Sequence, residues 1–369
     1  MTITPLHVSH SVHHGDGGIA FAIADLMAAQ QKKGTYARWL SSDRYTPLMR
    51  DSQLTKAVIS SKANVLHVHG LWRSQTRIAA KLLKQSYPLI VAPHGMMDEW
   101  AMAHSSWKKE IVWRLWEGNV LSSVKCLHAL CNAEASAIHK RLPGQPVAVI
   151  PNGVNLPVTH SYPKSLTPWG EEIPDGDKVL LFLGRFHQKK GLEPLMTAWQ
   201  SVIEQARESG WWLVFIGFGD DGKFESQLKA FPVERCLAYG ALFDEHKVAA
   251  FQNASAFILP SYSEGLPMAA LEAMSYGLPC LLSSACNLPE AFAVEAALPA
   301  EPESSSLIQS LKSFFLLSDS QRLFMGSEGK RLTQQQFHWD KVAEMTIDLY
   351  RWVLGEAEVP YFVRFSADN

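Results

Sequence analysis

The sequence has few cysteines and no pattern that would pair them. Its five cysteines include no CxxC motif, and their odd number leaves one over in any complete disulfide framework. This favours a reducing compartment over a secreted, disulfide-stabilised fold. The N-terminus shows no cationic segment followed by an apolar core, so we expect no signal peptide. No apolar run approaches the roughly 18 residues that a membrane span needs, and we therefore expect a soluble, cytoplasmic protein.

The sequence also lacks an excess of charge of either sign. Its formal net charge of −2 gives no basic footprint for nucleic acid, and we expect no nucleic-acid partner. Hydrophobic residues make up 47% and charged residues 19%, a globular composition without a disorder signature. The polar loop with His10, His13 and His14 has no carboxylate or cysteine at ligand spacing, so we expect no metal site there.

Short apolar runs alternate with polar or helical segments along the whole chain, which predicts parallel sheets covered by helices on both faces. A stretch rich in proline, serine and glycine over 156–178 separates two sets of runs. We therefore expect an α/β protein with two doubly wound domains, over residues 1–158 and 159–340, and a final helix and tail over 341–369. The predicted runs are 6–8, 37–40, 57–59, 65–68, 89–92, 124–130 and 147–150 in the first half, and 179–183, 211–216, 237–239, 256–259 and 280–283 in the second.

Two loops of the first half suggest ligand contacts. Gly17 and Gly18 lie between a strand and an amphipathic helix, an arrangement that brings backbone N–H groups close to a phosphate. His94 follows another strand, and a histidine there can donate a hydrogen bond or bind a developing charge, with a pKa near neutrality. On a third strand, we expect His67 to be packed at an edge of the sheet and His69, beside Gly70, to lie nearer the place where ligands collect.

The segment 100–116 interleaves tryptophans with lysines and an arginine. Such a pattern fits a helix pair around a core, and it also fits an aromatic and basic surface that touches a membrane. The sequence leaves both interpretations open.

Cations and glycines follow two strands of the second half. Arg185 offers a fork of donors that matches phosphate oxygens, and Lys190 offers a point charge. Because both follow the same strand at the ligand-binding edge, together they would stabilise a departing diphosphate. Gly217 forms a glycine turn at the same edge, after the next strand.

Two carboxylates flank a strand-to-helix turn at 257–272. Glu264 lies at the mouth of the turn, Gly265 allows the turn, and Pro267 suits the first position of the helix that carries Glu272. The free N–H groups at the helix start make a site for an anion, and the two carboxylates can accept hydrogen bonds from sugar hydroxyls. This layout predicts a diphosphate with a sugar at each end.

These pieces together resemble the glycosyltransferases of family 4, which have the GT-B fold. The motifs that carry the resemblance are Gly184-Arg185 with Lys190-Gly191, Gly217-Phe218-Gly219, the segment 261–277 with its E-x7-E pair, Pro151-Asn152-Gly153-Val154, Asn287-Leu288-Pro289-Glu290, Pro93-His94-Gly95-Met96-Met97-Asp98 and Gly17-Gly18. Asn287 departs from the pattern, since many members carry glycine there, and this bears on the local loop geometry.

The resemblance implies two domains that face a central cleft, with the first on the acceptor side and the final helix crossing back to it. It implies a nucleotide-sugar donor such as a UDP- or GDP-sugar, retention of the anomeric configuration and no metal or other cofactor. The donor would contact Arg185, Lys190, Glu264, Glu272 and, by their backbone, Gly265 and Leu266. The base would lie near Tyr239 to Leu242, while Gly18 would approach the phosphate and His94 the reacting sugar.

The implied reaction is transfer of a hexose-type sugar to a glycan or lipid-linked glycan in polysaccharide biosynthesis. The tryptophan-basic segment could then face a lipid-bearing acceptor at the inner face of the membrane. We expect the acceptor to enter on the face that the diphosphate leaves, since no carboxylate is committed to acting as a nucleophile. Two alternatives are a nucleotide-sugar epimerase on the same fold and a non-catalytic protein that binds sugar nucleotides.

Overall fold

The computed structural model describes residues 2–12, 18–85, 87–98, 102, 106–157, 160–219, 222–224, 226 and 232–366. The chain forms two compact units, each with its own sheet and core. The first unit comprises Met1–Gly153 and Trp339–Asn369, and the second comprises Val154–His338. Within the described ranges no helix is long and apolar enough to cross a membrane.

Strands and helices alternate along the chain. Within the described residues the strands are β1 (Pro5–Ser9), β2 (Arg38–Ser41), β3 (Val65–His69), β4 (Leu89–Ala92), β5 (Cys126–Ala129), β6 (Val147–Val149), β7 (Lys178–Arg185), β8 (Trp211–Phe218), β9 (Cys236–Tyr239), β10 (Ala256–Leu259), β11 (Cys280–Leu282), β12 (Ala297–Pro299) and β13 (Val363–Arg364).

The helices of the same ranges cover both faces of the two sheets. They are α1 (Gly18–Lys32), α2 (Arg50–Ser60), α3 (Ser74–Leu83), α4 (Ser106–Val112), α5 (Gly118–Leu121), α6 (Asn132–Arg141), α7 (Leu192–Ser201), α8 (Ile203–Glu208), α9 (Asp244–Gln252), α10 (Met268–Ser275), α11 (Pro289–Ala293), α12 (Ser304–Leu316), α13 (Asp319–Gln336) and α14 (Trp339–Val353). A π-helical segment, Trp113–Glu117, joins α4 to α5.

The sheet of the first unit has the strand order β13-β6-β5-β4-β3-β1-β2. All neighbouring strands are parallel except β13, which pairs antiparallel with β6. Every residue of β1, β3, β4 and β5 is buried, as expected for a parallel sheet with helices on both faces. Any polar side chain on these strands therefore needs a partner inside the protein.

The sheet of the second unit has the order β12-β11-β10-β7-β8-β9, and all its strands are parallel. Its longest pairing joins β7 to β8 over eight residues, from Lys178 opposite Trp211 to Arg185 opposite Phe218. Since parallel strands end at a common edge, the loops after β7, β8 and β10 meet there. The prediction of two α/β domains with parallel sheets is confirmed.

One predicted strand is wrong. The apolar run 57–59 lies inside α2, where Leu54 and Val58 are fully buried one helical turn apart and Ile59 is 41% exposed. A three-residue apolar run cannot by itself distinguish a strand from one side of a helix, and here the wider spacing decides. The other predicted runs coincide with strands, whereas the short strands β12 and β13 were not predicted.

Candidate functional site

Two side chains predicted to contact the donor meet at the carboxyl edge of the second unit's sheet. Lys190 follows β7 and Glu264 follows the neighbouring strand β10. Lys190 Nζ donates to Glu264 Oε1 at 2.5 Å, and Ser261 Oγ donates to the same oxygen at 2.5 Å. The side chains of the ion pair are only 13% and 8% exposed, so water screens their attraction weakly. The structure thus joins a cation and a carboxylate that are 74 positions apart in sequence.

Arg185 lies at the end of β7, beside Phe218 at the end of β8. Its guanidinium carbon Cζ is 5.9 Å from the centre of the Phe218 ring, and both side chains are exposed. Within the described part of the chain, no hydrogen bond or ion pair occupies the guanidinium. Its fork of N–H donors is therefore available to an anion.

Glycines allow the backbone segments of this edge to approach closely. A Cβ atom on Gly217 would lie 1.9 Å from the carbonyl oxygen of Gly184, so a side chain there would push β7 and β8 apart. Gly191 adopts a left-handed φ of +68°, and a Cβ atom there would lie 2.1 Å from the carbonyl oxygen of Pro260. The loop that carries Lys190 therefore lies directly against the end of β10.

Asn287 fixes the turn that carries Glu264. Its φ of +56° lies in the left-handed region, which asparagine tolerates better than most residues other than glycine. Its Nδ2 donates to the carbonyl oxygen of Glu264 at 2.6 Å, and the Glu264 N–H donates to the carbonyl oxygen of Ala285 at 3.0 Å. The departure from glycine is therefore accommodated, because asparagine adopts the backbone conformation and adds a hydrogen bond.

The helix that follows this turn begins at Met268, one residue later than predicted, and Pro267 precedes it. The N–H of Met268 donates to the carbonyl oxygen of Leu266 at 3.0 Å, and that of Ala270 donates to Pro267 at 2.9 Å. Fewer backbone donors are therefore free at the start of α10 than the sequence suggests. Gly265 and Leu266 lie between Glu264 and Pro267, both half-buried.

Glu272 has a partner that the sequence did not indicate. Lys247 Nζ, on α9, donates to Glu272 Oε1 at 2.7 Å, and both side chains are 31% exposed. Among the residues that the structure describes, no contact joins Glu272 to Arg185, Lys190 or Glu264. The structure therefore pairs Glu272 with Lys247, in an ion pair separate from that of Lys190 with Glu264.

A pocket of about 670 Å³ lies beside these helices, lined by Tyr162 and residues 241–246. Leu242, predicted to lie near the base of the donor, is part of its wall. Tyr239 is not among the residues that line the pocket, and its hydroxyl donates to Glu172 Oε1 at 2.6 Å. Burial and the hydrogen bond to Glu172 raise the pKa of Tyr239, which keeps its hydroxyl protonated.

In the first unit, His94 follows β4 with a left-handed φ of +55°. The next N–H, that of Gly95, donates to Glu134 Oε1 at 2.6 Å, and the Leu130 N–H donates to Glu134 Oε2 at 2.8 Å. Glu134 is fully buried, and burial raises its pKa to about 7. This carboxylate, which sequence reasoning missed, ties the loop after β4 to the loop after β5.

The His94 side chain is the partly exposed end of a buried histidine cluster. The other members are His7, His67, His69 and His128, each at most 3% exposed. Burial, and secondarily the neighbouring His128, lower the pKa of His94 to about 3. The prediction of a pKa near neutrality is therefore wrong, and His94 stays uncharged at neutral pH.

Three members of this cluster bring ring nitrogens close enough to hold a metal ion. One nitrogen from each of His7, His67 and His69 lies within 4.8 Å of the others. These nitrogens also form hydrogen bonds among themselves and with neighbouring side chains, for example between His7 Nδ1 and His69 Nε2 at 2.8 Å. The cluster was missed because it forms only when β1, β3 and β5 are brought together. His67 was expected at an edge of the sheet, whereas it is completely buried on β3, between β4 and β1.

Two further predictions concern the start of α1 and the segment 100–116. Gly17 lies outside the described residues. Gly18 is the first residue of α1, and a Cβ atom there would meet nothing within 4 Å, so space does not demand glycine. In the tryptophan-basic segment, Trp113 and Trp116 are half-buried, while Trp107 and Leu115 are 66% and 67% exposed. The half-buried tryptophans fit core packing, whereas contact of the exposed residues with a membrane stays a prediction.

Comparison with known proteins identifies two family models that match successive parts of the chain. The model described as Glycosyltransferase Family 4 matches residues 12–157. The model described as Glycosyl transferases group 1 matches residues 164–331. The matched regions contain His94, Arg185, Lys190, Glu264 and Glu272, whereas His7, Tyr162 and α14 lie outside them.

Two curated relatives show the level of sequence similarity. The chain is 26% identical over 234 residues to an uncharacterized glycosyltransferase of Methanocaldococcus jannaschii, covering 57% of this chain and 55% of that protein. It is 29% identical over 256 residues to the Escherichia coli UDP-Gal:alpha-D-GlcNAc-diphosphoundecaprenol alpha-1,3-galactosyltransferase, covering 63% and 60%. The chain therefore spans between half and two thirds of the length of these relatives.

The fold is shared with solved structures. Sucrose-phosphate synthase from Thermosynechococcus elongatus matches with a TM-score of 0.77 and 18% sequence identity, over 96% of this chain and 100% of that chain. At this identity the likeness concerns the fold alone.

Proposed function

The chain belongs to the group 1 glycosyltransferases of family 4, which have the GT-B fold, and on that basis we propose that it moves a hexose-type sugar from a nucleotide diphosphate to a glycan or lipid-linked glycan. The observation that supports this most directly is the contact of Lys190 and Ser261 with Glu264 at the edge of the second unit's sheet. It places a cation for phosphate and an acceptor for sugar hydroxyls side by side.

Each group in this arrangement has a separate task in donor binding. Lys190 gives one of its three N–H donors to Glu264 and keeps the others for phosphate oxygens. Arg185, exposed at the end of the same strand, adds a second cation for the departing diphosphate. Glu264 Oε1 accepts from Lys190 and Ser261, which leaves Oε2 for a hydroxyl of the transferred sugar.

The nucleoside would occupy the region of Leu242 and Glu272. The 670 Å³ pocket at Leu242 has the size of an ordinary ligand site. Glu272, partly exposed beside Lys247, would accept hydrogen bonds from the ribose hydroxyls. The backbone of Gly265 and Leu266 would lie between sugar and phosphate, and Gly217 would keep its strand end free of a side chain that blocks the diphosphate.

We assign retention of configuration to attack on the face that the diphosphate leaves. The bond from the anomeric carbon to the diphosphate breaks, a bond to the acceptor oxygen forms, and a diphosphate oxygen takes the acceptor's proton. Glu264 is a poor nucleophile, because two donors already hold one of its oxygens. Mass spectrometry of enzyme quenched during turnover should therefore detect no sugar attached to Glu264, and such an adduct would refute the assignment.

Arg185→Ala provides the main test. Loss of a charge-assisted contact worth about 1.5–3 kcal/mol should lower the rate at subsaturating donor by roughly tenfold to a hundredfold. Because Arg185 is exposed, the melting temperature should hardly change. The matched control is Arg331→Ala, which removes an exposed arginine of α13, and it should transfer sugar at the normal rate. Equal rates for the two variants would refute the role of Arg185.

Glu264→Gln separates sugar recognition from phosphate binding. The variant should lose turnover, because residue 264 contacts the transferred sugar. It should bind the free nucleoside diphosphate nearly as well as the native protein, because residue 264 does not reach the phosphate. Isothermal titration with the nucleotide and a transfer assay give the two readings. The carrier and sugar are found by a thermal-shift panel of nucleotide sugars, in which the matched donor raises the melting temperature.

The acceptor side of the proposal draws on the relatives and on one exposed surface. The E. coli relative acts, by its name, on a diphosphoundecaprenol-linked sugar. Here Trp107, Ile111 and Leu115 are exposed at four-residue spacing, and Lys108 lies beside Trp107, with Nζ 5.4 Å from the ring centre. Aromatic and basic residues in this arrangement suit contact with an anionic membrane that carries a lipid-linked acceptor.

A further inference from the structure

A continuous series of hydrogen bonds runs from His94 through the interior of the first unit to the backbone carbonyl of Ile150. All its internal members are at most 3% exposed. In order from Ile150 O, the contacts are His128 Nε2 at 2.7 Å, His67 Nε2 to His128 Nδ1 at 3.1 Å, His67 Nδ1 to Tyr350 Oη at 3.0 Å, Gln30 Nε2 to Tyr350 Oη at 3.3 Å, His7 Nε2 to Gln30 Oε1 at 3.3 Å, His7 Nδ1 to His69 Nε2 at 2.8 Å, and His69 Nδ1 to His94 Nε2 at 2.9 Å.

The carbonyl at one end sets the direction of this series. A carbonyl oxygen only accepts, so His128 carries its proton on Nε2 and leaves Nδ1 bare. His67 must then donate from Nε2 to His128, which leaves His67 Nδ1 as an acceptor for the Tyr350 hydroxyl. Burial raises the pKa of Tyr350, so that its hydroxyl keeps the proton that it donates.

The same logic continues beyond Tyr350. Its oxygen, having donated its own proton, accepts from the Gln30 amide, and the Gln30 carbonyl accepts from His7 Nε2. His7 Nδ1 is then bare and accepts from His69 Nε2. His69 Nδ1 is bare in turn and accepts from His94 Nε2. Every neutral histidine of the series therefore carries its proton on Nε2.

Exchanging the positions of Gln30 Oε1 and Nε2 by rotating the amide does not give a second consistent assignment of protons. Gln30 Oε1 would then need the Tyr350 proton, and His67 would have to donate from both ring nitrogens. That form is a cation, and His67 is completely buried. Burial and the neighbouring histidines lower its pKa well below the ordinary value, so the cation is disfavoured.

We propose that this series fixes His94 as a hydrogen-bond acceptor, with bare Nδ1 available to a substrate hydroxyl and with Tyr350 and Gln30 as positioning residues. Of the ten ring nitrogens in the five histidines, His94 Nδ1 is the one without a partner among the described residues. His94 is a partly exposed residue. This inference rests on the proposed function: the hydroxyl that donates to His94 Nδ1 belongs to the reacting sugar or to the acceptor. His94 then accepts a hydrogen bond, whereas the sequence led us to expect that it donates one.

The test of the tautomer needs neither donor nor acceptor. Protein labelled with ¹⁵N in its histidine rings is studied by NMR at pH 7, where long-range couplings show which nitrogen of each ring is protonated. The expected result is Nε2–H on His7, His67, His69, His94 and His128. Protonation of His94 at Nδ1 would overturn the proposal. So would a stoichiometric metal bound by His7, His67 and His69, detected by elemental analysis of the same sample.

Tyr350→Phe tests the positioning role. Without the hydroxyl, Gln30 can rotate, and the tautomers of His7, His69 and His94 should become mixed. Transfer at subsaturating donor should then fall about twofold, because the competent form is about half populated. Tyr36→Phe is the matched control, since Tyr36 is 69% exposed, and it should leave the spectrum unchanged. Unchanged tautomers in Tyr350→Phe would refute the role of Tyr350.

Two substitutions of His94 test the acceptor role in turnover. His94→Asn keeps an oxygen at the position of Nδ1 and suits the left-handed backbone, whereas His94→Ala removes the acceptor. The asparagine variant should transfer sugar at least tenfold faster than the alanine variant, and equal rates would contradict the proposal. If no donor supports transfer by the native protein, the proposed function fails while the NMR result still stands or falls separately.

Discussion

Acid should destabilise the first unit steeply, because that unit buries five histidines in their neutral form. Burial lowers the pKa of His7 and His128 to about 4 and that of His94 to about 3. In the unfolded chain the same groups titrate near pH 6.5. Between these values the unfolded chain binds protons that the folded unit does not, so stability is lost as the pH falls from 6.5 towards 4.

The size of the effect follows from the two sets of pKa values. Between pH 6 and 5, one histidine with a folded pKa of about 4 or lower reduces the free energy of unfolding by about 1.2 kcal/mol, so His7, His94 and His128 together reduce it by about 3.5 kcal/mol. His67 and His69, whose pKa values burial also lowers, act in the same direction. Glu134 acts in the opposite direction, since its pKa is raised to about 7, and it returns about 1 kcal/mol over the same interval. The net loss from the three histidines and Glu134, about 2.5 kcal/mol, is a substantial part of the stability of a typical domain.

Hydrogen exchange followed by mass spectrometry can measure this loss in each unit separately. After correction for the intrinsic rate, peptides from β3 and β4 should lose about two orders of magnitude of protection or more from pH 6 to pH 5. Peptides from β7 and β8 of the second unit serve as the internal control and should change little. Equal changes in the two units, or constant protection of β3, would show that the histidines are not held neutral.

Four further predictions concern single sites. In the native protein the buried Glu134 carboxyl is forced to ionise between pH 5 and pH 7, which lowers the free energy of unfolding by about 2 kcal/mol. Glu134→Gln should remove this loss, and urea unfolding at both pH values measures the difference. Gly217→Ala should destabilise the second unit by several kcal/mol because its Cβ meets the Gly184 carbonyl, whereas Gly240→Ala, with open space around its Cβ, should have little effect on the melting temperature. Asn287→Ala should lower the free energy of unfolding by about 2 kcal/mol, because alanine lacks the hydrogen bond and disfavours the left-handed conformation. Asn287→Gly should lower it by about 1 kcal/mol, because glycine lacks only the hydrogen bond. Similar unfolding midpoints for the two variants would contradict this. Trp107→Ser combined with Leu115→Ser should weaken binding to anionic phospholipid vesicles at least tenfold in a sedimentation assay, while Leu48→Ser, which removes another exposed leucine, should not.

The positions of Lys190 and Glu264 could be predicted because parallel strands end at one edge. Each residue follows an apolar run that can be recognised from the sequence, and the two runs became the neighbouring strands β7 and β10. The regular geometry of such a sheet then brings together loops that are far apart in the chain. Arg185 was placed correctly at this edge for the same reason.

The partners of the charged groups could not be predicted. Lys247 pairs with Glu272, and Lys190 with Glu264, at distances of 2.7 and 2.5 Å. Which cation reaches which carboxylate depends on differences of a few ångströms in the placement of α9 and α10, and the apolar pattern carries no such information. The early part of α10 was misjudged for a related reason, because local backbone bonds of Met268 and Ala270 are invisible in the sequence.

The histidine series left only a partial signal in the sequence. His67 and His69 alternate with apolar residues on β3, so they share one face of a strand that is otherwise entirely buried. A buried polar face requires partners, and this requirement could have been stated in advance. The partners themselves lie on β1, β5, α1 and α14, and the register that sets His7 beside His67 is a property of the assembled sheet.

The C-terminal segment Trp339–Asn369, which belongs to the first unit, contributes a residue to the histidine series. Tyr350, on α14, is the residue that links His67 to Gln30, and it is completely buried. Without α14, His67 Nδ1 and the Gln30 amide would each lose a partner, and the direction imposed by the Ile150 carbonyl would stop at His67. No hydrogen bond of the series would then decide which ring nitrogen of His94 carries the proton. Tyr350, which lies 283 positions after His67 in sequence, therefore determines whether His94 accepts or donates a hydrogen bond.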